Sequence, residues 1–256
     1  MLLVIDVGNT NIVFGLYDGD VLREHWRAET NPERTADEYG VFCTQYLALS
    51  GIARAEVDRG IMSSVVPPMS HALVTMVRRY FGFELVQVGP GIKTGMPILY
   101  DNPREVGADR VVNGVAAFET FADACIVVDF GTATTFDSIS AKGEYQGGAI
   151  APGIGISADA LFQHASKLPR IELIRPRTVV GKNTVQSMQA GIIYGYVGLV
   201  DGLVRRMATE MGGAPNVIAT GGLARLIASE STTIAHVDDE LTLKGLKIIH
   251  QRNVKV

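Results

Sequence analysis

Cysteine is scarce in this chain. Cys43 and Cys125 are the only two among 256 residues, and no C-x-x-C pair occurs. Both sit in apolar segments, so they read as reduced, buried thiols rather than parts of a disulfide framework. The five histidines (His25, His71, His164, His236, His250) are scattered, and no pair has zinc-ligand spacing. No G-x-S-x-G elbow and no G-x-x-x-x-G-K-[ST] loop is present, which argues against a serine hydrolase and a P-loop kinase. Positive charge is not in excess: 23 Lys and Arg stand against 27 Asp and Glu, a net charge of -4. That balance offers no footprint for nucleic acid and little attraction to an acidic membrane. Long apolar runs are missing as well. The greasiest stretch, AGIIYGYVGLVDGLV at 190–204, is broken by glycines and Asp201 and falls short of the roughly 20 residues a membrane helix needs. The N-terminus has no basic leader, and Asp6 arrives too early for a signal-peptide core. A soluble, cytoplasmic protein is the expectation.

What is present is an ordinary globular composition, 47% hydrophobic and 20% charged, with length for one large domain or two smaller ones. LLVID (2–6) reads as a buried strand, and NIVFGLYDGDVL as two further strands around the Asp18-Gly19 turn. Helical spacing in TADEYGVFCTQYLALSG, a strand in RGIMSSVVP, a helix in MSHALVTMVRRYFG and a strand in FELVQVG complete a β-β-β-α-β-α-β order. Residues 89–105 form a long loop rich in glycine and proline, and long loops in compact domains are often functional. A helix follows in RVVNGVAAFETF and a second hairpin in ACIVVDFGTATTFDSIS. Helices near 156–167 and 184–211, the strand-turn VIATGGLA and a β-rich tail, TTIAHVDDELTLKGLKII, are expected after that.

One pattern occurs twice. VIDVGNTNIVFGLYD (4–18) and VVDFGTATTFDSISA (127–141) both run apolar strand, Asp, any residue, Gly, small polar residues, second strand. Asp129 follows Asp6 by 123 positions (129 − 6), about half the chain, a period that suggests two copies of one domain. A lone D-x-G-N-T could be no more than an Asx turn in a hairpin. A paired one can do chemistry, because consecutive backbone N–H groups in a tight turn bind phosphate oxygens and glycine lets the backbone come close. Asn9, Thr10, Thr132 and Thr134 can add side-chain donors. An aspartate beside phosphate needs a cation between them, so Asp6 and Asp129 imply a metal ion, directly or through water. Gly221-Gly222, between a strand and LARLIA, can lie flat against a base or ribose. Asp109, directly before RVVNGVAAF, suits a helix N-cap.

The paired loops with a later Gly-Gly resemble the actin, sugar-kinase and Hsp70 nucleotide-binding superfamily. More narrowly, DVGNTN (6–11), GADR (107–110), DFGTATT (129–135) and GGAIAPG (147–153) resemble type III pantothenate kinase, with likeness from Met1 to about Val237. The fold this implies is α/β: two duplicated ribonuclease-H-like domains, each a mixed β-sheet flanked by helices, with a nucleotide cleft between them. Their expected extents are 1–114 and 115–256. The resemblance implies ATP-dependent phosphorylation of pantothenate to 4′-phosphopantothenate, the first step toward coenzyme A. Asp109 would be the general base. The loop Asp6, Val7, Gly8, Asn9, Thr10, Asn11, Ile12, Val13 would cradle the β- and γ-phosphates, with Asp6 linked to Mg²⁺. Asp129 matches a ligand for K⁺ or ammonium, Thr132 an ATP contact, and Gly221 and Gly222 fall in the adenosine site. Tyr100, Gly107, Ala108, Asp109, Arg110 and Thr184 match pantothenate contacts. Arg110 equally suits a structural salt bridge, and Thr184 a helix cap. Lys182 reads as an exposed loop lysine. Val13 stands where relatives can carry a basic residue, which leaves phosphate neutralisation to backbone donors and cations. A homodimer is implied, with the 184–204 helix as a candidate contact element or else a simple core helix. Two other readings stand beside this one: a related kinase of another small hydroxylated substrate, and a nucleotide-binding transcriptional accessory protein without turnover.

Overall fold

The computed structural model describes residues 1–254; the last two residues of the expected second half, 255 and 256, lie outside the described residues. The chain divides into two compact units. The first comprises Met1–Met96, Asn102–Ala116 and the segment from Thr242 onward; the second comprises Pro97–Asp101 and Ala117–Leu241.

The first unit holds β1 (Leu2–Val7), β2 (Asn11–Asp18), β3 (Val21–Glu29), α1 (Ala36–Leu49), β4 (Arg59–Ser64), α2 (Pro67–Phe81) and β5 (Val86–Gln87). Its sheet runs β3-β2-β1-β4-β5. β1 pairs antiparallel with β2 and parallel with β4, so apolar residues cover both faces of β1 and four consecutive positions are fully buried. Helix α1 begins in a capping box, in which the Glu38 backbone N–H donates to Thr35 Oγ1 and the Thr35 N–H donates to the Glu38 carboxylate at 2.7 Å. Pro67, which ends the preceding strand pattern, is also the first residue of α2, where no N–H is needed. Phe14 and Tyr46 both stack with Trp26 in this core, each with ring centroids 5.5 Å away.

The helix α3 (Ala108–Phe121) carries the chain from the first unit into the second. There follow β6 (Cys125–Phe130), β7 (Ala133–Ile139), β8 (Tyr145–Pro152), α4 (Ile154–His164), α5 (Thr184–Glu210), β9 (Asn216–Gly221), α6 (Ala224–Ala228) and β10 (His236–Val237). The second sheet, β10-β9-β6-β7-β8, repeats the first. An Asp-bearing central strand again has an antiparallel hairpin partner on one side and a parallel strand on the other. Two mixed five-stranded sheets flanked by helices, built to the same plan, make the fold α/β with duplicated ribonuclease-H-like units. Among the described residues no helix is long and apolar enough to cross a membrane.

The tail departs from the sequence expectation. Only His236–Val237 is strand, and α7 (Leu241–Asn253) is helix. Alternating Thr and Leu at 241–243 mimic a strand, yet Leu241, Leu243, Leu246 and Ile249 are buried at helical spacing. Gly245 decides the docking: a Cβ there would lie 2.2 Å from the Val112 carbonyl oxygen, so α7 packs directly on the α3 backbone within the first unit. Asn253 and Arg252 then bind Lys93 and Thr94 of the long loop, and Lys247 holds Asp20 at 2.8 Å.

Candidate functional site

In the first unit, the turn between β1 and β2 exposes Asn9, Thr10 and Asn11 to solvent. It is closed by Gly8 N–H donating to the Asn11 carbonyl at 3.0 Å. Val7 and Ile12 pair across the hairpin and are buried, as anchors of the loop, and Val13 pairs with Asp6. Two residues that no motif marks complete the turn. Thr30 Oγ1 donates to the Gly8 carbonyl at 2.7 Å, and Ser63 Oγ donates to Asp6 Oδ1 at 2.5 Å. Neither is legible locally, because Ser63 lies on β4 and Thr30 directly after β3, and both reach the loop only through sheet pairing.

Asp109 lies in the same unit. The helix begins at Ala108, so Asp109 is a first-turn residue and not the N-cap that its sequence position suggested. Its Oδ1 accepts the Arg110 backbone N–H at 2.9 Å. Gly107 leaves room for this carboxylate: a Cβ at 107 would stand 2.5 Å from its Oδ1 and push the side chain aside. Burial raises the Asp109 pKa, against the lowering by the Arg110 backbone N–H and the Arg110 charge. Burial also pushes Asp6 up to about 6, the Ser63 hydroxyl pulls it back, and the negative charge of Asp109 adds to the rise. Asp6 and Asp109 are therefore brought together closely enough to feel each other's charge. Arg110 itself is buried, at 8% exposure.

In the second unit, Gly131 N–H donates to the Ala133 carbonyl at 3.0 Å, closing the second loop as Gly8 closes the first. Gly131 and Thr132 are exposed at its tip, whereas Thr134 is fully buried and turned away from solvent. Gly221 has φ +92° and lies across the end of β6; a Cβ there would come within 2.7 Å of Asp129 Oδ1. The structure thus joins Asp129 and the Gly221-Gly222 turn. The GGAIAPG stretch forms β8 and supports the loop from behind. A Cβ on Gly153 would fall 2.1 Å from the Thr132 carbonyl oxygen. Tyr196 of α5 holds this end of β8, its hydroxyl donating to the Pro152 carbonyl at 2.9 Å. The Tyr100 ring is exposed and lies 3.5 Å from where a Cβ on Gly147 would be, beside Tyr145. Thr184 is exposed in the first turn of α5; the cap there is Asn183, which accepts the Gln186 N–H at 2.9 Å, so capping does not account for Thr184. Lys182 is exposed.

The first loop offers backbone N–H groups, the Asp6 carboxylate and the Asn9, Thr10 and Asn11 side chains, a set that suits phosphate and hard cations. Among the described residues no three His, Cys, Asp or Glu side chains form a metal cluster. Such a site fits a divalent ion held by one carboxylate together with substrate phosphates, as Mg²⁺ commonly is.

Comparison with known proteins agrees with this chemistry. A family model described as type III pantothenate kinase matches residues 2–206. A type III pantothenate kinase of Anaeromyxobacter sp. (strain Fw109-5) is 62% identical over 253 residues, covering 99% of this chain and 100% of that protein. Among solved structures, a conserved Campylobacter jejuni protein named for the Baf family of transcriptional activators superposes with a TM-score of 0.62 at 20% identity, over 98% of both chains. Acetate kinase from Entamoeba histolytica superposes with a TM-score of 0.54 at 10% identity, over 98% of this chain and 99% of that one. At such identities the two structures show the shared fold alone.

Proposed function

Because the chain belongs to the type III pantothenate kinase family, and is thus a kinase that uses ATP and a divalent metal to phosphorylate pantothenate in coenzyme A biosynthesis, we propose that Asp109 is its general base. One observation carries this assignment. Asp109 is a half-buried carboxylate, folded over Gly107 at the start of α3 and within electrostatic reach of Asp6. It takes the proton of the primary hydroxyl as that oxygen bonds the γ-phosphorus and the bond to the bridging oxygen of ADP breaks. Phosphoryl transfer asks mainly for positioning and charge compensation. In this reading the turn at 6–13 holds the β- and γ-phosphates, and Asp6 engages Mg²⁺. The ion supplies neutralisation of phosphate charge. Thr132 contacts ATP, Gly221 and Gly222 lie against its adenosine, and Tyr100, Gly107, Ala108, Arg110 and Thr184 bind pantothenate. An assay of ADP release with pantothenate and with other small hydroxylated acids tests the substrate assignment; equal rates with an unrelated alcohol would overturn it.

Asp129 is proposed as the ligand of a monovalent cation, K⁺ or ammonium. Its carboxylate lies under the Gly221 backbone, and a Cβ at 221 would stand 2.7 Å from both Asp129 Oδ1 and the Phe130 carbonyl oxygen. Replacing K⁺ by Na⁺ is expected to lower kcat about tenfold, or ~1.4 kcal/mol in barrier. Equal rates in the two salts would remove Asp129 from this role.

A homodimer is also proposed, with α5 at the contact. One face of α5 is core, through Ile192, Ile193, Tyr196, Val200 and Val204. The other presents Gly191, Gly195, Gly198 and Gly202, with nothing within 4 Å of where their side chains would be. Interior glycine costs a helix about 1 kcal/mol relative to alanine, so four on one face suit the close approach of another backbone. Gly195→Leu is expected to weaken dimerisation by ~1–3 kcal/mol through overpacking. Light scattering would show monomer at concentrations where the parent is dimeric; an unchanged mass would exclude α5 from the contact.

A further inference from the structure

The segment Ser63-Ser64-Val65 ends β4 and carries no recognised motif, yet it touches both carboxylate-bearing elements of the first unit. Ser63 is fully buried and its hydroxyl donates to Asp6 Oδ1 at 2.5 Å. Val65 N–H donates to the Val7 carbonyl at 3.1 Å, and Val65 Cγ1 lies 3.7 Å from where a Cβ on Gly107 would be. In the parallel pairing of β1 with β4, Asp6 is the register partner of Ser63. Residues in register on neighbouring parallel strands point to the same side of the sheet, about 4.8 Å apart. The hydroxyl can therefore reach the carboxylate in one rotamer without straining either strand. The second unit repeats the arrangement: Asp129 is in register with Thr220 on the parallel strand β9, and Thr220 is also buried. A hydroxyl residue thus stands beside the loop aspartate in both halves.

We propose that Ser63 is a positioning residue for Asp6: its hydroxyl takes Oδ1 and fixes the carboxylate plane so that Oδ2 is turned toward the phosphate-borne cation. Among the described residues the Ser63 hydroxyl is the one side-chain partner of Asp6, so no other bond sets that plane. A buried carboxylate held by a single strong donor keeps its orientation at little entropic cost when the ligand arrives. The inference rests on the reading of Asp6 as the phosphate-facing acid.

The test measures Mg·ATP binding calorimetrically without pantothenate, beside the KM values for both substrates. Ser63→Ala is expected to weaken Mg·ATP binding roughly ten- to a hundredfold, the usual effect of losing a partner that orients a metal ligand. KM for pantothenate should stay within about twofold, and Ser63→Thr, which keeps the hydroxyl, should restore Mg·ATP affinity. Ser63→Cys, close in size with a weak donor, should behave as Ser63→Ala and carries the test should the alanine variant not fold. Parental Mg·ATP affinity in Ser63→Ala or Ser63→Cys would overturn the proposal. So would an equal loss for both substrates, or a Ser63→Thr variant as impaired as alanine. Asp6→Asn separates the two readings: parental affinity in that variant means Asp6 does not face the cation, whereas loss in Asp6→Asn without loss in Ser63→Ala removes the positioning role alone.

Discussion

Asp109→Asn is expected to lower kcat/KM for pantothenate about a thousandfold, the middle of the range a positioned general base contributes. The amide keeps the shape that sits over Gly107 but cannot take a proton. Substrate binding should survive, so calorimetry should still detect pantothenate. The parent enzyme should lose kcat/KM as pH falls through the Asp109 pKa, which burial has raised above the ordinary carboxylate value. Asp6 stands nearby with its own pKa pushed up to about 6, by burial first and in small part by the Asp109 charge, so its protonation adds to the same acid limb. The sign for stability is opposite to the usual carboxylate case. A carboxyl whose folded pKa is raised binds its proton more tightly in the folded state, so stability falls as pH rises from the unfolded value through the folded one. The parent carries that penalty once Asp109 is ionised, and Asp109→Asn never does. The variant should therefore melt at or above the parental temperature. Near-parental kcat would show that the base lies elsewhere; a lower melting temperature would show Asp109 to be a structural group.

Gly153→Ala is the second large effect, and it acts through backbone. A methyl at 153 would sit 2.1 Å from the Thr132 carbonyl oxygen and 2.7 Å from that of Gly131. Neither obstacle is the movable end of a side chain, so the second loop or the end of β8 must shift by about an ångström. A displacement of that size can cost on the order of a hundredfold in rate when it misplaces reacting groups. Overpacking should lower stability by ~1–3 kcal/mol. Mg·ATP affinity and kcat/KM should both collapse while the circular dichroism spectrum stays α/β. Gly155→Ala is the control two residues away: nothing lies within 4 Å of its Cβ position, and activity should be unchanged. Equal activity in the two variants would mean that β8 does not support the second loop.

The transcriptional name borne by the Campylobacter neighbour does not transfer to this chain at 20% identity. The family model and the 62% identical relative place the chain among the kinases.

Much of this molecule is written locally. The two strand-turn-strand stretches around Asp6 and Asp129 and the helix start at Thr35 depend on contacts between near neighbours, and each reads from spacing and residue type; Pro67 reads as the stop of a strand and is the first residue of α2. The tail at 241–253 did not, because a short run of alternating Leu and Thr is compatible with strand or helix, and the choice was made by Gly245 docking on Val112. Asp109 as an N-cap failed by one residue, a boundary that local signals place poorly. Sequence alone thus determined the chemical kind of each loop: an aspartate, a glycine and small donors at the end of a buried strand. Tertiary structure decided what holds those loops still. Ser63 is 57 positions from Asp6, Thr30 is 22 from Gly8 and Tyr196 is 44 from Pro152. Such partners are chosen by sheet register and helix packing, and no local pattern of residues encodes them.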